Sequence, residues 1–288
     1  MRVTLLGAGV PSPAPRRFGS AYLLDVAGRS LLVDCGPAAT YKLTLAGRRA
    51  PEVSMLLFTH HHFDHNADYP CFVLTRWDQD VEQTPLRVFG PPPTAAFTRT
   101  LFGAPDGAYV PDWTARVEHP GSQRVFANRG GTLPRTAPKI DVTDIDATFV
   151  REEEGFAVRT ADTVHAQPWL ESVAYRIDSE GTSIVFTGDT EPVDSVVELA
   201  RGADMLICMC WDTDAAMEAD GLSEGMTGTR RAGALAAEAG VRTLVLTHIS
   251  AHLDSPAVRK EGIREVEAAF GGPVVFGEEI MTLDAGSA

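Results

Sequence analysis

Short apolar runs rich in Val, Leu and Ile alternate with stretches of helical period through most of the chain, a rhythm that predicts an α/β or mixed layered sandwich. Strands are predicted at Met1–Leu6, Ala21–Val26, Leu31–Val33, Met55–Phe58, Ser183–Phe186, Met205–Cys208, Thr243–Leu246 and Val274–Phe276. The alternating run from Phe156 to Thr160 and the stretch from Tyr175 to Phe186 add further strands. Helices are predicted at Pro192–Arg201, Thr229–Ala239 and Pro256–Phe270. Pro192 suits a first helical position, and Gly202, Gly240 and Gly271 stand where C-terminal glycines belong. No repeat of solenoid period is visible.

One segment breaks the rhythm. Between about 90 and 139 the chain carries Gly90-Pro91-Pro92-Pro93, Gly130-Gly131 and scattered aromatics (Phe97, Phe102, Tyr109, Trp113, Phe126) with no sustained period. The chain therefore reads as one domain, 1–288, with an insertion there, either a cap over the active site or a peripheral excursion.

Composition narrows the class. With 288 residues, 44% hydrophobic and 22% charged, the chain is long enough for a substantial core and is neither disordered nor a coiled coil. It has no apolar run of membrane-spanning length and no signal-peptide core after Met1, so a cytoplasmic protein without membrane contact is expected. Its four cysteines, Cys35, Cys71, Cys208 and Cys210, are too few for a disulfide framework. The net charge of −14 argues against a broad nucleic-acid footprint, which draws on clustered Lys and Arg, while leaving room for a local basic cleft.

The candidate chemistry is concentrated in Thr59-His60-His61-His62-Phe63-Asp64-His65, directly after a predicted strand. Potential ligands at i, i+2, i+4 and i+5 can be aimed at two adjacent points, as a dinuclear metal site requires. The same grammar recurs in Gly188-Asp189-Thr190 and in Thr247-His248, each following an apolar strand, and His165 adds another imidazole. Read blandly, each of these could be a polar side chain closing a loop, but their order and context favour a metal site. His61, between two candidate ligands, should point away; His119 and His252 lack motif context and read as surface or satisfied histidines, although His252, four residues past His248, could reach a substrate. Gly7-Ala8-Gly9 is not a dinucleotide fingerprint, because Pro11 and Pro13 disfavour the helix it needs. Cys208 and Cys210 read as packing residues, Asp212 and Asp214 as a solvated turn in the first instance or else as residues approaching the metals, and Trp77, Trp169 and Trp211 as either pocket or core.

Taken in order, these residues resemble the metallo-β-lactamase-fold hydrolases, whose pattern is an early Asp, H-x-H-x-D-H, then a His, an Asp and a final His at strand ends. The resemblance implies an αββα sandwich with the site at the shared edge of two sheets. It implies that His60, His62 and His165 hold one divalent metal and Asp64, His65 and His248 another, with Asp189 bridging. Asp64 and Asp189 would be the catalytic carboxylates, and Asp34 would hydrogen-bond the ligand loop. Imidazole and carboxylate suit Zn first, with Mn or Fe as alternatives, and two bridged cations can share one acidified hydroxide.

Within that superfamily the chain is similar to the tRNase Z and phosphodiesterase branch, through Gly7-Ala8-Gly9-Val10-Pro11-Ser12, Arg17, Gly19-Ser20-Ala21-Tyr22, Ala174-Tyr175-Arg176 and Leu246-Thr247-His248. It departs in two respects. The interval from His165 to Asp189 leaves no room for the arm with which such enzymes clamp tRNA, and the places of a Glu/His proton relay hold Met209 and Met226. These departures and the net charge lead to the expectation that tRNA is not a partner and that the substrate is a small phosphodiester or other activated ester whose leaving group needs little protonation. A lactonase, thioesterase or arylsulfatase on the same site, or a metal-binding protein without turnover, are the alternatives. The resemblance also suggests a homodimer.

Overall fold

The computed structural model of the protein describes residues 1–286. The apolar runs form two seven-stranded sheets. One contains β1 (Arg2–Gly7), β2 (Ala21–Val26), β3 (Arg29–Val33), β4 (Val53–Leu57), β5 (Leu86–Gly90), β6 (Ile140–Asp144) and, beside β1, β14 (Thr282–Asp284). The other contains β7 (Val150–Glu153), β8 (Phe156–Asp162), β9 (Val173–Ser179), β10 (Thr182–Phe186), β11 (Met205–Met209), β12 (Thr243–Thr247) and β13 (Val274–Phe276), neighbours in chain order. Residues alternating along these strands bury their apolar sides between the sheets, among them Leu24, Val33, Leu57, Phe186 and Ile207.

The outer faces are covered by helices. On the first sheet, Ala39 and Leu43 of α1 (Ala39–Leu45) pack with Tyr69 and Phe72 of α3 (Tyr69–Gln79), which follows the single turn α2 (Phe63–Asn66). On the second, α7 (Asp194–Ala200), α9 (Thr229–Ala239) and α10 (Pro256–Phe270) contribute Val196, Leu235 and Val266. Ala232, Leu235, Ala236 and Ala239 form one buried stripe of α9 at helical spacing. Helix, sheet, sheet and helix stack in that order, the αββα sandwich. Among the described residues no helix is long and apolar enough to cross a membrane.

Two local expectations are corrected. Pro192 lies outside α7, which begins at Asp194 after an extended Val193, and its Asp194 complements the positive helix N-terminus. Residues 90–139 hold three helices, α4 (Thr94–Phe102), α5 (Val110–Glu118) and α6 (Pro120–Asn128), where the sequence shows no period. The reason is that α5 has no buried residue and α6 buries only Phe126, so there is no apolar stripe to read. These two helices lie against α3, where Asp78 accepts bonds from Arg116, Arg129 and Arg135 at 3.0–3.3 Å. The remaining helix, α8 (Asp214–Asp220), follows β11.

Candidate metal centre

Strands β3 and β4 run parallel, as do β10, β11 and β12, so their carboxyl ends converge on one edge of the sandwich. Asp34 follows β3, the Thr59–His65 loop follows β4, Asp189 follows β10 and His248 follows β12, while His165 lies beyond β8. Four bonds tie the sheets together here. The Val173 amide donates to the Thr59 carbonyl (2.9 Å) and the Tyr175 hydroxyl to the Phe58 carbonyl (2.9 Å). The Ile249 amide donates to the Ala8 carbonyl (3.0 Å), and the hydroxyls of Tyr22 and Thr247 meet at 2.9 Å.

The seven predicted residues fall into two groups, His60, His62, His165 and Asp189 in one, Asp64, His65 and His248 in the other, with the donor atoms of each within 4.8 Å of one another. In the first group three ring nitrogens converge: His62 Nδ1 is 3.2 Å from His60 Nε2 and 3.0 Å from His165 Nε2. In two of them, His165 and His60, the outer nitrogen is already occupied. His165 Nδ1 donates to the Gly225 carbonyl (2.7 Å), which can only accept, so the neutral ring carries its proton there and presents a bare lone pair at Nε2. His60 Nδ1 lies 3.0 Å from Thr59 Oγ1, whose proton goes to Asp34 Oδ2 (2.9 Å), so His60 donates outward as well.

The second group is fully buried. His65 Nδ1 donates to Asp34 Oδ2 (2.8 Å), leaving Nε2 3.4 Å from Asp189 Oδ1 and 3.6 Å from Asp64 Oδ2. His248 Nε2 faces Asp189 Oδ2 at 3.0 Å and Asp64 Oδ2 at 3.2 Å. Asp189 also lies within 4.0 Å of His60 Nε2 and 3.8 Å of His165 Nε2, so one carboxylate borders both groups. Asp34, entirely buried, braces both as well: Oδ1 accepts the Thr59 amide (2.8 Å), while Oδ2 serves Thr59 and His65. Asp34 and His248 hold left-handed backbone conformations (φ 58° and 53°), strain of about 1–3 kcal/mol apiece that the surrounding bonds sustain.

These surroundings set the charge states. Burial alone would lower the His248 imidazole, but the carboxylates of Asp189 and Asp64 lift it to about 9. His65 is raised well above the usual range against the same burial, by Asp189 and Asp34. Burial would raise Asp189, yet His248 and His65 hold it well below the ordinary carboxylate range. His60, facing other imidazoles, is lowered well below the usual value, first by burial and then by His65. The cluster thus gathers protons onto two imidazoles in the positions where a cation could replace them. Buried Asp64 Oδ1 and His65 Nε2 have no hydrogen-bond partner, which fits donor atoms built for an ion. The donor set suits divalent metal chemistry.

The loops leave no slack. A Cβ on Gly36 would stand 2.1 Å from the Asp64 carbonyl oxygen, and one on Gly225, at φ +70°, 2.2 Å from that of His165. His62 and His165 are half-buried, and beside them Phe63 and Trp169 are 59% and 87% exposed, so the first group opens to solvent.

The remaining candidates separate clearly. His61 turns away from the cluster, its Nε2 2.7 Å from Thr94 Oγ1, and burial lowers it to about 4. His119 Nδ1 accepts the Gly121 amide at the start of α6 (3.1 Å). Cys208 and Cys210 are buried and free. Trp77 is core, donating to the Thr136 carbonyl, while Trp211 is half-buried with its ring 5.6 Å from that of His248. The solvated-turn reading of Asp212 and Asp214 is overturned, since both are buried and fully engaged. Asp214 pairs with Arg231 (2.6 Å) and accepts the Arg230 amide at the start of α9 (2.6 Å), and Asp212 holds Ser250 and His252. Met209 is buried, its sulfur receiving the Thr190 amide. The sequence reading missed the Gly225 carbonyl and the Thr59 hydroxyl as supports: a carbonyl has no residue-type signature, and only adjacency to His60 marks the Thr.

Residues 29–249 match the beta-lactamase superfamily domain. Ribonuclease Z of Mycobacterium bovis is 30% identical over 291 aligned residues, covering 99% of this chain and 98% of that one. Among solved structures, the metallo-beta-lactamase fold protein YhfI from Bacillus subtilis superimposes with a TM-score of 0.75 at 23% identity, covering 98% of both chains. The short form of human tRNase Z superimposes with a TM-score of 0.68 at 23% identity, covering 99% of both. These matches overturn the expectation that tRNA is not a partner, because a relative aligned end to end carries the name of a ribonuclease. Two physical reasons lie behind the correction. Near-complete coverage of both chains leaves that relative no long arm which this chain lacks, and a net charge of −14 is a whole-chain sum that does not describe one face.

Proposed function

The chain belongs to the beta-lactamase superfamily, in its ribonuclease Z-like branch, and on that premise we propose that it is a dinuclear metal-dependent hydrolase of phosphodiester bonds, RNA among the candidate substrates. The observation that carries this reading is the convergence of His60, His62 and His165 nitrogens beside a second group of orphaned buried donors, with Asp189 between them. His60, His62 and His165 would hold one ion and Asp64, His65 and His248 the other, with Asp189 bordering both groups. Zn fits these donors first, with Mn and Fe next. Such ions polarise a phosphoryl oxygen and lower the pKa of water. The chain's own residues do the rest. Asp34, through Thr59 and His65, fixes the ring orientations of both groups, and the Gly225 carbonyl fixes that of His165. The buried second group excludes solvent, which strengthens every interaction with a charged phosphoryl centre.

The test is turnover of bis(p-nitrophenyl) phosphate and of a 3′-extended tRNA precursor by Zn- or Mn-loaded protein, with Asp64→Ala as control. Turnover of either, lost in the variant, is expected; failure on both, with hydrolysis of carboxylic esters or lactones instead, would overturn the phosphodiester reading. Chelation gives a second readout: the midpoint of thermal unfolding should fall by about 10 °C, from about 4 kcal/mol of binding linkage at about 2–4 °C per kcal/mol.

A further inference from the structure

Hydrolysis of a phosphodiester with an alkyl or ribose leaving group needs a proton on the departing oxygen, and the residues assigned to the metals are committed as ligands. Of the other imidazoles near the cluster, His61 is bonded to Thr94 and Asn66. His252 remains. Its Nδ1 lies 2.9 and 3.0 Å from the two oxygens of Asp212, and its side chain is 58% exposed. Asp212 itself is buried and fixed on three sides: Oδ2 accepts the Ser250 hydroxyl (2.8 Å), Oδ1 accepts the Thr213 amide (2.7 Å), and its carbonyl receives the Thr229 amide (3.1 Å).

This pair is tied to the metal edge. Ser250, two residues past His248, donates its amide to the Trp211 carbonyl, and the Trp211 ring lies against His248. Ser250 Oγ also accepts the Leu253 amide, closing a tight turn that carries His252 on the same loop as His248. A buried carboxylate holding Nδ1 of an otherwise open imidazole leaves Nε2 as the ring atom free to exchange a proton, the arrangement by which carboxylates orient catalytic histidines elsewhere. A structural clasp would need neither the buried charge nor the exposed ring.

We propose that His252, positioned by Asp212, protonates the leaving oxygen; the inference rests on the phosphodiester reading. Water's oxygen bonds phosphorus, the bond from phosphorus to the leaving oxygen breaks with its electron pair on that oxygen, and the proton from His252 Nε2 lands there. The proton displaced from water leaves to solvent, which reprotonates His252. The donor removes the sequence-based expectation that only activated leaving groups react.

The test compares an aryl with an alkyl phosphodiester, p-nitrophenyl and ethyl esters of the same thymidine 5′-phosphate, in wild-type protein, His252→Ala and Asp212→Asn. An aryl leaving group hardly needs the proton, so His252→Ala should raise the aryl-to-alkyl rate ratio about 100-fold, and Asp212→Asn should raise it in the same direction by less. Because Asp212 is buried, His252→Gln, at an exposed position, serves as the variant that keeps the fold. Nitrogen-15 NMR of metal-free protein gives a readout independent of turnover: the His252 ring should carry its neutral-form proton on Nδ1, and Asp212→Asn should shift that preference. Unchanged ratios in both His252 variants, with wild-type turnover intact, overturn the inference alone. Wild-type turnover of the aryl ester alone likewise overturns the inference alone, whereas absence of turnover on both esters, on bis(p-nitrophenyl) phosphate and on the tRNA precursor overturns the phosphodiester reading and this inference with it.

Discussion

The metal edge and the α5–α6 excursion are both built from charged side chains, but they treat charge in opposite ways. At the metal edge Asp34, Asp64, Asp189, His60, His65 and His248 are buried and braced by short bonds, and Asp64, His65 and His248 each keep one atom that no protein group satisfies. On the excursion, Arg116 and Arg129 are about half exposed and meet Asp78 at the surface of α3, with only Arg135 buried against the Trp77 ring. Buried, unpaired polar atoms are costly, so they persist where a bound ion repays them, whereas surface ion pairs cost and contribute little. Burial therefore distinguishes these two charged clusters, and single substitutions should have very different sizes in the two regions.

The largest effect is expected at Asp189, whose carboxylate borders both groups. Asp189→Ala should lower kcat on an aryl phosphodiester by about 10³-fold or more and reduce the bound metal measured by elemental analysis. A variant that keeps full metal content and most of its activity would erase the distinction between the two regions. Asp34→Asn probes the support rather than the ligands. It keeps the shape but removes the charge that orients His65 and Thr59, and a loss of about 10–100-fold in metal affinity is expected. A competition titration with a chromogenic chelator measures it, and an unchanged affinity would show that sterics alone hold the rings.

The contrast also explains what the sequence disclosed. Strands such as Ala21–Val26 and the helix Thr229–Ala239 were legible because burial imposes a period on them. The cluster at His60, His62, Asp64 and His65 was legible because several ligand-type residues follow one strand, and the structure brings those four together with His165, Asp189 and His248. The helices at 110–128 were hidden because they bury almost nothing, and the one at 94–102 because its buried stripe of Thr94, Thr98 and Phe102 is mostly polar. The Asp212–His252 pair was hidden for a different reason: its two members are 40 residues apart, and only the packing of β11 beside β12 unites them. The misjudged tRNA partner came from treating a whole-chain charge as though it described one surface.

The smallest effect should come from Asp78, and its pH dependence sharpens the contrast. Burial would raise this carboxyl, but Arg129 and Arg135 hold it below the ordinary aspartate range. A carboxyl depressed in the folded state contributes stability above its unfolded value and loses it as pH falls through its folded value. Because one face of the pair is wet, Asp78→Ala should cost only about 0.5–1 kcal/mol at neutral pH by urea unfolding of metal-free protein. That difference from wild type should begin to shrink near pH 4, where an unfolded aspartate takes up its proton. A loss several times larger, or one independent of pH, would mean that Asp78 anchors the excursion as a buried network does, and that burial alone does not tell scaffold from site in this protein.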